Sequence, residues 1–356
     1  VEGPALAHGE RNPGLKQSKE ERTMEALQAL IFAGLLIVGC PNTTISQAVR
    51  PDLDLAAREI SPPDAAADTA AYFSRPVAIA YDQTHIFVLD ARDNDIKVFS
   101  KTGRFEVSLG RKGEGPGEFS RPSDMDILEE RIYVADGGNR RVQILDKNGA
   151  YLGGYKVPFP PWRILALDEE RIVLAHLPSG LAGPEKVVHG FNSRGEILWD
   201  VLPSLTSGDP VQDAMQNQIF LRKGAMGDFF VIRALNDRLI RHFSRDGYLL
   251  GEMAVPAAQY PFQKISIPGR AGRKSTLRGF CWNCATDGDS LYLLIPEYSA
   301  DKDLGPGRRI AAVGPAGNVE ARIELPDRIS RLAVEGRAIY GIDLELRLRI
   351  FTVVKK

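Results

Sequence analysis

Residues 73–103 read FSRPVAIAYDQTHIFVLDARDNDIKVFSKTG, residues 119–149 read FSRPSDMDILEERIYVADGGNRRVQILDKNG, and the second stretch superposes on the first without a gap at an offset of 46 residues. Both open on the same four letters, Phe73-Ser74-Arg75-Pro76 and Phe119-Ser120-Arg121-Pro122. Ile86-Phe87-Val88-Leu89-Asp90 then matches Ile132-Tyr133-Val134-Ala135-Asp136, and Ile96-Lys97-Val98-Phe99 matches Val142-Gln143-Ile144-Leu145. Each copy alternates apolar and polar residues with period two, breaks at a polar turn, resumes, and breaks again at Gly103 or Gly149. This is the pattern of short antiparallel strands joined in order, a β-meander.

Weaker copies follow. Ile164 to Asp168 with Arg171 to Leu174 begins a third, which ends at Phe191 to Gly195, and Phe229 to Ile232 with Leu239 to Phe243 forms a fourth. A fifth spans Asp287 to Gly317 and a sixth spans Leu332 to Phe351, so residues 73–356 divide into six units of about 47 residues, a blade-like period. A single blade exposes two apolar faces, and only neighbours arranged in a ring cover them all. The sequence therefore predicts an all-β fold, a six-bladed β-propeller. The sixth unit ends after its third strand, and the segment from Asp52 to Ile60 (DLDLAAREI) is expected to supply the fourth and so close the ring.

The run Tyr133 to Gln143 (YVADGGNRRVQ), together with Gly110 to Phe119 (GRKGEGPGEF), resembles NHL repeats and the related six-bladed propellers common among bacterial lipoproteins. The resemblance is strong over residues 73–150 and diffuse beyond. It implies the fold and says little about activity, because NHL-like propellers include adhesion, scaffold, lyase and lactonase proteins.

Ala26 to Val38 (ALQALIFAGLLIV) is an uncharged apolar run of signal-peptide length that ends at Gly39-Cys40. Ile37-Val38-Gly39-Cys40 resembles a lipobox, which implies that Cys40 becomes the lipid-modified first residue of the mature protein. On this reading residues 1–39 are a signal-peptide region, of which 1–23 are untranslated if synthesis starts at Met24. Residues 40–72, rich in Ala, Asp, Pro, Ser and Thr, are a lipid-anchored tether that includes the closing strand, and residues 73–356 are the propeller. The expected location is the bacterial cell envelope, outside the cytoplasm, with the membrane as one partner through the lipid on Cys40.

The 45 Lys and Arg balance the 46 Asp and Glu, so no basic excess points to nucleic acid. Gly113 to Gly117 and Gly269 to Ser275 lack the spacing of phosphate-binding loops, and the first is read as an inter-blade turn. Asp90 and Asp136, each followed three residues on by Asp93 or Asn139, could offer oxygen ligands to Ca²⁺, but a carboxylate at a repeated turn position more simply caps backbone N–H groups. Cys281-Trp282-Asn283-Cys284 sits in no βαβ unit and supplies too few ligands for zinc, and Cys284 is expected to be buried and reduced in an innermost strand. The five histidines are dispersed; His242 falls at a strand position where other units are apolar.

The basic residues Lys264, Arg270, Arg273, Lys274 and Arg278 gather in the long connection between the fourth and fifth units and form the best local candidate for holding an anion. The function expected is that of a ligand-binding or protein-interaction module with no cofactor. It would use one propeller face and its long loops (176–187, 203–227 and 257–280) to hold an envelope protein, a glycan or a small anionic ligand, most naturally at the channel mouth where all blades converge. The competing expectation, which rests on the resemblance, is a metal-dependent hydrolase or lyase of the lactonase or NHL-lyase type with one Ca²⁺ or Zn²⁺ held in the channel by residues from several blades.

Overall fold

The computed structural model describes residues 53–60, 72–178, 185–257, 259–260, 263–268, 274–298 and 304–355. Cys40 and the apolar run before it lie outside these residues, as do Arg270 and Arg273. No helix among the described residues is long and apolar enough to cross a membrane.

In chain order, β1 (Leu53–Glu59) precedes a first blade of β2 (Pro76–Tyr81), β3 (His85–Asp90), β4 (Asp95–Ser100) and β5 (Phe105–Leu109). Two short parallel strands, β6 (Arg111–Lys112) and β7 (Glu118–Phe119), lead to a second blade of β8 (Asp124–Leu128), β9 (Arg131–Asp136), β10 (Arg141–Asp146) and β11 (Tyr151–Lys156). The third blade is β12 (Arg163–Ala166), β13 (Arg171–Ala175), β14 (Lys186–Asn192) and β15 (Ile197–Pro203). A short helix, α1 (Pro210–Gln216), capped by the Asp209 carboxylate, precedes the fourth blade of β16 (Ile219–Lys223), β17 (Phe229–Arg233), β18 (Leu239–Phe243) and β19 (Leu249–Ala254). After the ribbon β20 (Gln263–Pro268) and β21 (Lys274–Gly279) come the fifth blade, β22 (Asn283–Asp287), β23 (Ser290–Tyr298), β24 (Leu304–Val313) and β25 (Val319–Glu324), and then β26 (Ile329–Glu335), β27 (Ala338–Asp343) and β28 (Leu348–Lys355).

Within each blade consecutive strands pair antiparallel. The innermost strands β2, β8, β12, β16, β22 and β26 each touch the next, and β26 touches β2, so they close a ring. Six buried apolar clusters lie between successive blades, one per junction. Phe87 and Leu89 of the first blade, for example, pack with Met125, Ile132 and Val134 of the second. A fully buried side chain of this size contributes about 1.5–3 kcal/mol, so the ring is held by the surfaces that one blade alone would leave in water. The protein is a six-bladed β-propeller.

The fourth strand of the sixth blade is β1, which pairs antiparallel with β28 from Leu55↔Lys355 to Glu59↔Phe351. β1 also pairs parallel with β25, from Leu53↔Ala321 to Ala56↔Glu324. The fifth and sixth blades thus form one eight-stranded sheet. Glu59 at the end of β1 receives two hydrogen bonds from the Arg349 guanidinium, each 2.5 Å, which ties the N-terminal strand to the C-terminal one.

Asp90 accepts hydrogen bonds from the N–H groups of Ser74, Arg75, Arg92 and Asp93, so its carboxylate serves the turns around it. Asp136, its copy in the second blade, takes the N–H of Ser120 and the side chains of Asn139 and Arg141. Cys284 lies in β22 as a buried thiol, and Cys281, also buried and free, precedes that strand. Burial raises the pKa of both thiols.

Candidate functional site: a cationic channel

The innermost strands all run the same way, from the face that carries the inter-blade connections and the second-to-third strand turns toward the opposite face. Their side chains enclose a central cavity of about 300 Å³. Strand register places equivalent residues side by side: Ala78, Asp124, Arg163, Phe220, Asn283 and Arg331 pair with the matching positions of the six second strands. Two residues on, Ala80, Asp126, Leu165, Arg222, Ala285 and Ala333 form the next layer, since alternate residues of a strand share a face. The channel therefore holds Arg163, Arg222, Arg331 and Lys223 against the carboxylates of Asp124 and Asp126.

The three guanidiniums are set in one manner. Arg163 Nε donates to the Ile219 carbonyl of the next blade at 3.2 Å, Arg222 Nε to the Cys284 carbonyl at 2.6 Å, and Arg331 Nε to the Val77 carbonyl at 2.9 Å. Each Nη1 donates to the carbonyl of the preceding residue, Trp162, Leu221 or Ser330. These bonds fix the guanidinium plane and leave Nη2 of each with no hydrogen bond to the described residues. Phe220 lies beside two of them, 5.4 Å from the Arg163 guanidinium and 5.7 Å from that of Arg222. Lys223 Nζ donates to the Leu167 carbonyl at 2.6 Å.

The carboxylates also bridge blades. Asp124 accepts the N–H of Ile164 at 3.2 Å and Asp126 that of Ala166 at 2.8 Å. Burial pushes the Asp126 pKa up to about 6, with the nearby negative charge of Asp124 adding to it. Burial also raises Asp124, against the opposing pull of Arg163 and Arg222. Arg331 is pushed down to about 10 by burial and by Arg163 across the channel, and stays charged at neutral pH. Two carboxylates among four cationic side chains do not fit a divalent cation, which needs an oxygen-rich shell of net negative charge. No group of three or more His, Cys, Asp or Glu side chains suited to a metal occurs among the described residues.

The connection that carries the basic run, read from its sequence as a loop, folds in part as the ribbon β20–β21. Lys264 and Arg278 are direct cross-strand partners there, and both are exposed. Asn236 binds the ribbon by exchanging two hydrogen bonds with the Arg278 backbone. Lys274 lies in β21. His242 is half-buried, bonds Asp228 and stacks on Phe230 at 4.6 Å, which is a structural role away from the channel.

Sequence reasoning did not single out Arg163, Arg222, Arg331, Asp124 or Asp126. The available signal was a charge recurring within the otherwise apolar innermost strands, as in Arg163-Ile164-Leu165-Ala166 and Arg331-Leu332-Ala333.

Residues 71–187 match the model of a family described as a 6-bladed beta-propeller. No curated protein matches the chain. Among solved structures the chain is similar to a member of the DUF4221 family from Bacteroides vulgatus (TM-score 0.58, 10% identity, 85% of this chain and 97% of that one). It is also similar to a candidate exported protein of Bacteroides fragilis (TM-score 0.57, 12% identity, 85% and 95%). A third likeness is to a catalytically inactive virginiamycin B lyase of Staphylococcus aureus with quinupristin (TM-score 0.51, 12% identity, 84% and 100%). At these identities the likeness is one of fold.

Proposed function

We propose that the protein is a binding module, exported and held in the bacterial envelope by lipid on Cys40, that takes a small anionic ligand in its channel. The observation that carries the reading is the set of three oriented guanidiniums, each with Nη2 free of hydrogen bonds to the described residues, in one cavity. Oriented guanidiniums recognise carboxylate or phosphate oxygens in pairs and lose little entropy in doing so. The ribbon residues Lys264 and Arg278, with Arg270, Arg273 and Lys274 in the same connection, would add attraction for a larger anionic partner, a glycan or an acidic envelope protein.

Titration calorimetry with small di- and tricarboxylates of pKa below about 5 tests the channel. Binding is expected, weakened at least tenfold by the double change Arg163→Ala, Arg331→Ala. It should tighten between pH 7 and pH 5.5, because Asp126 sheds its negative charge as it protonates near pH 6. Affinity unchanged by the substitutions would refute the channel as the site. The anchor is tested separately by mass spectrometry of membrane-fraction protein, where an unmodified Cys40 would overturn that part of the reading.

A further inference from the structure

The duplicated Phe-Ser-Arg-Pro motif has no part in the channel. Its arginines, Arg75 and Arg121, stand at the same point of the first two blades and face a second cavity of about 580 Å³ on the face where the innermost strands begin. Arg92 and Lys112 complete a lining of four exposed cationic side chains with no carboxylate. None of the four has an ion pair among the described residues. The acids close by are committed elsewhere: Asp90 to four backbone N–H groups, Asp93 to Ser74 and Lys97, Asp95 to Lys97, and Asp136 to Ser120, Asn139 and Arg141. The turns of this repeat engage the acidic groups, and Arg92 meets Asp93 only as a nearby charge, so the four basic side chains are left without an ion pair among the described residues.

The cavity is also held in shape across the two blades. Arg121 adopts φ 48° and Asn94 φ 60°, both in the left-handed region that non-glycine residues disfavour. The buried Asn94 side chain accepts the Arg121 N–H at 2.8 Å and donates to the Arg92 carbonyl at 2.8 Å, so one side chain fixes the backbone of both arginines. The remaining lining, Asn94, Ser120 and Ala91, offers hydrogen bonds and one methyl group but no aromatic face on which a base or sugar ring could stack. Guanidinium forks beside an ammonium suit tetrahedral oxyanions, which each take several N–H donors.

We infer that the cleft between the first and second blades is a second binding site, for a non-aromatic molecule carrying two or more phosphate or sulfate groups. It is independent of the channel, which is lined by other residues.

The test is titration calorimetry of the full chain with tripolyphosphate and with sucrose octasulfate at moderate ionic strength, on the native protein, on Arg75→Glu, Arg121→Glu, and on Arg331→Ala as the channel control. Native protein should bind at least one probe. The double charge reversal should weaken that binding at least tenfold with the melting temperature retained, and the part of the binding that this reversal removes should persist within a factor of two in Arg331→Ala. Preference for tripolyphosphate would identify a phosphorylated ligand, and preference for the sulfated sugar a sulfated glycan; either supports the site. Should the double variant lose its fold, the milder Arg92→Gln, Lys112→Gln is expected to weaken binding at least threefold. No binding of either probe, binding indifferent to the cleft variants, or binding that follows Arg331 would overturn the inference.

Discussion

The sixth, first and second blades solve one problem differently from the third, fourth and fifth. At the end of the second strand, where the incoming connection from the previous blade must be held, the first arc carries Asp90, Asp136 and Asp343. The Asp90 and Asp136 carboxylates collect N–H groups from the incoming turn, while Asp343 binds Arg347 and Arg349. At the matching position the second arc carries His176, Arg233 and Ile295. Arg233 inverts the polarity: it is buried and donates to the Pro203 carbonyl and the Asn217 side-chain oxygen, so a cation gathers acceptors where the other arc has an anion gathering donors. His176 stacks on Phe159 of the incoming connection at 4.3 Å, and Ile295 packs against an apolar cluster. One carboxylate and a short turn make a repeat that can be seen in sequence; three unlike solutions, with α1 and the β20–β21 ribbon inserted into the connections, erase it.

The seam where the arcs meet provides the largest expected effect. A chain beginning at residue 41 should melt as the full chain does, whereas one beginning at residue 73 lacks β1 and should lose about 5 kcal/mol, roughly 10 °C in melting temperature. Equal melting temperatures would mean that the ring closes without its N-terminal strand. Next, Asp136→Leu should cost about 3–5 kcal/mol in urea unfolding, because Asp136 is fully buried and its loss leaves the Ser120 N–H, the Asn139 amide and the Arg141 Nε without their acceptor. Arg233→Met, at the corresponding place in the other arc, removes donors from a carbonyl and a carboxamide and should cost only about 2 kcal/mol. If the two losses prove equal, the polarity of the hold is immaterial.

Acid separates the arcs in another way. Burial, helped by His176, pushes the pKa of His189 in the third blade down to about 4 from an ordinary value of 6.5. The unfolded chain therefore takes up this proton first. The stability contributed by the neutral ring is complete above pH 6.5 and is lost as pH falls toward 4, by about 2–3 kcal/mol. His189→Phe should flatten that part of the stability profile, and an unchanged acid limb would show that another group governs it.

Where chemistry repeated, the sequence was readable. Residues 73–149 disclosed their strands because Asp90 and Asp136, Gly103 and Gly149, and the paired apolar runs obey the same local constraints twice. The channel was not readable, since its charged residues come one or two from each of four blades and are neighbours only through the closure of the ring: Arg163 and Arg331 are far apart along the chain and face one another across the axis. The parallel pairing of β1 with β25 was equally hidden, because nothing in Leu53 to Ala56 distinguishes a strand with one neighbour from a strand with two.

That strand has a mechanical meaning. A pull applied to the polypeptide upstream of Leu53 along the direction of β1 loads a strand hydrogen-bonded on both sides, to β25 in parallel and to β28 antiparallel. To come free it must slide past β25 and β28 together, so many bonds resist at once instead of opening in succession. A molecule suspended by its N-terminal segment would hang from its own clasp, and the clasp is oriented to bear the weight.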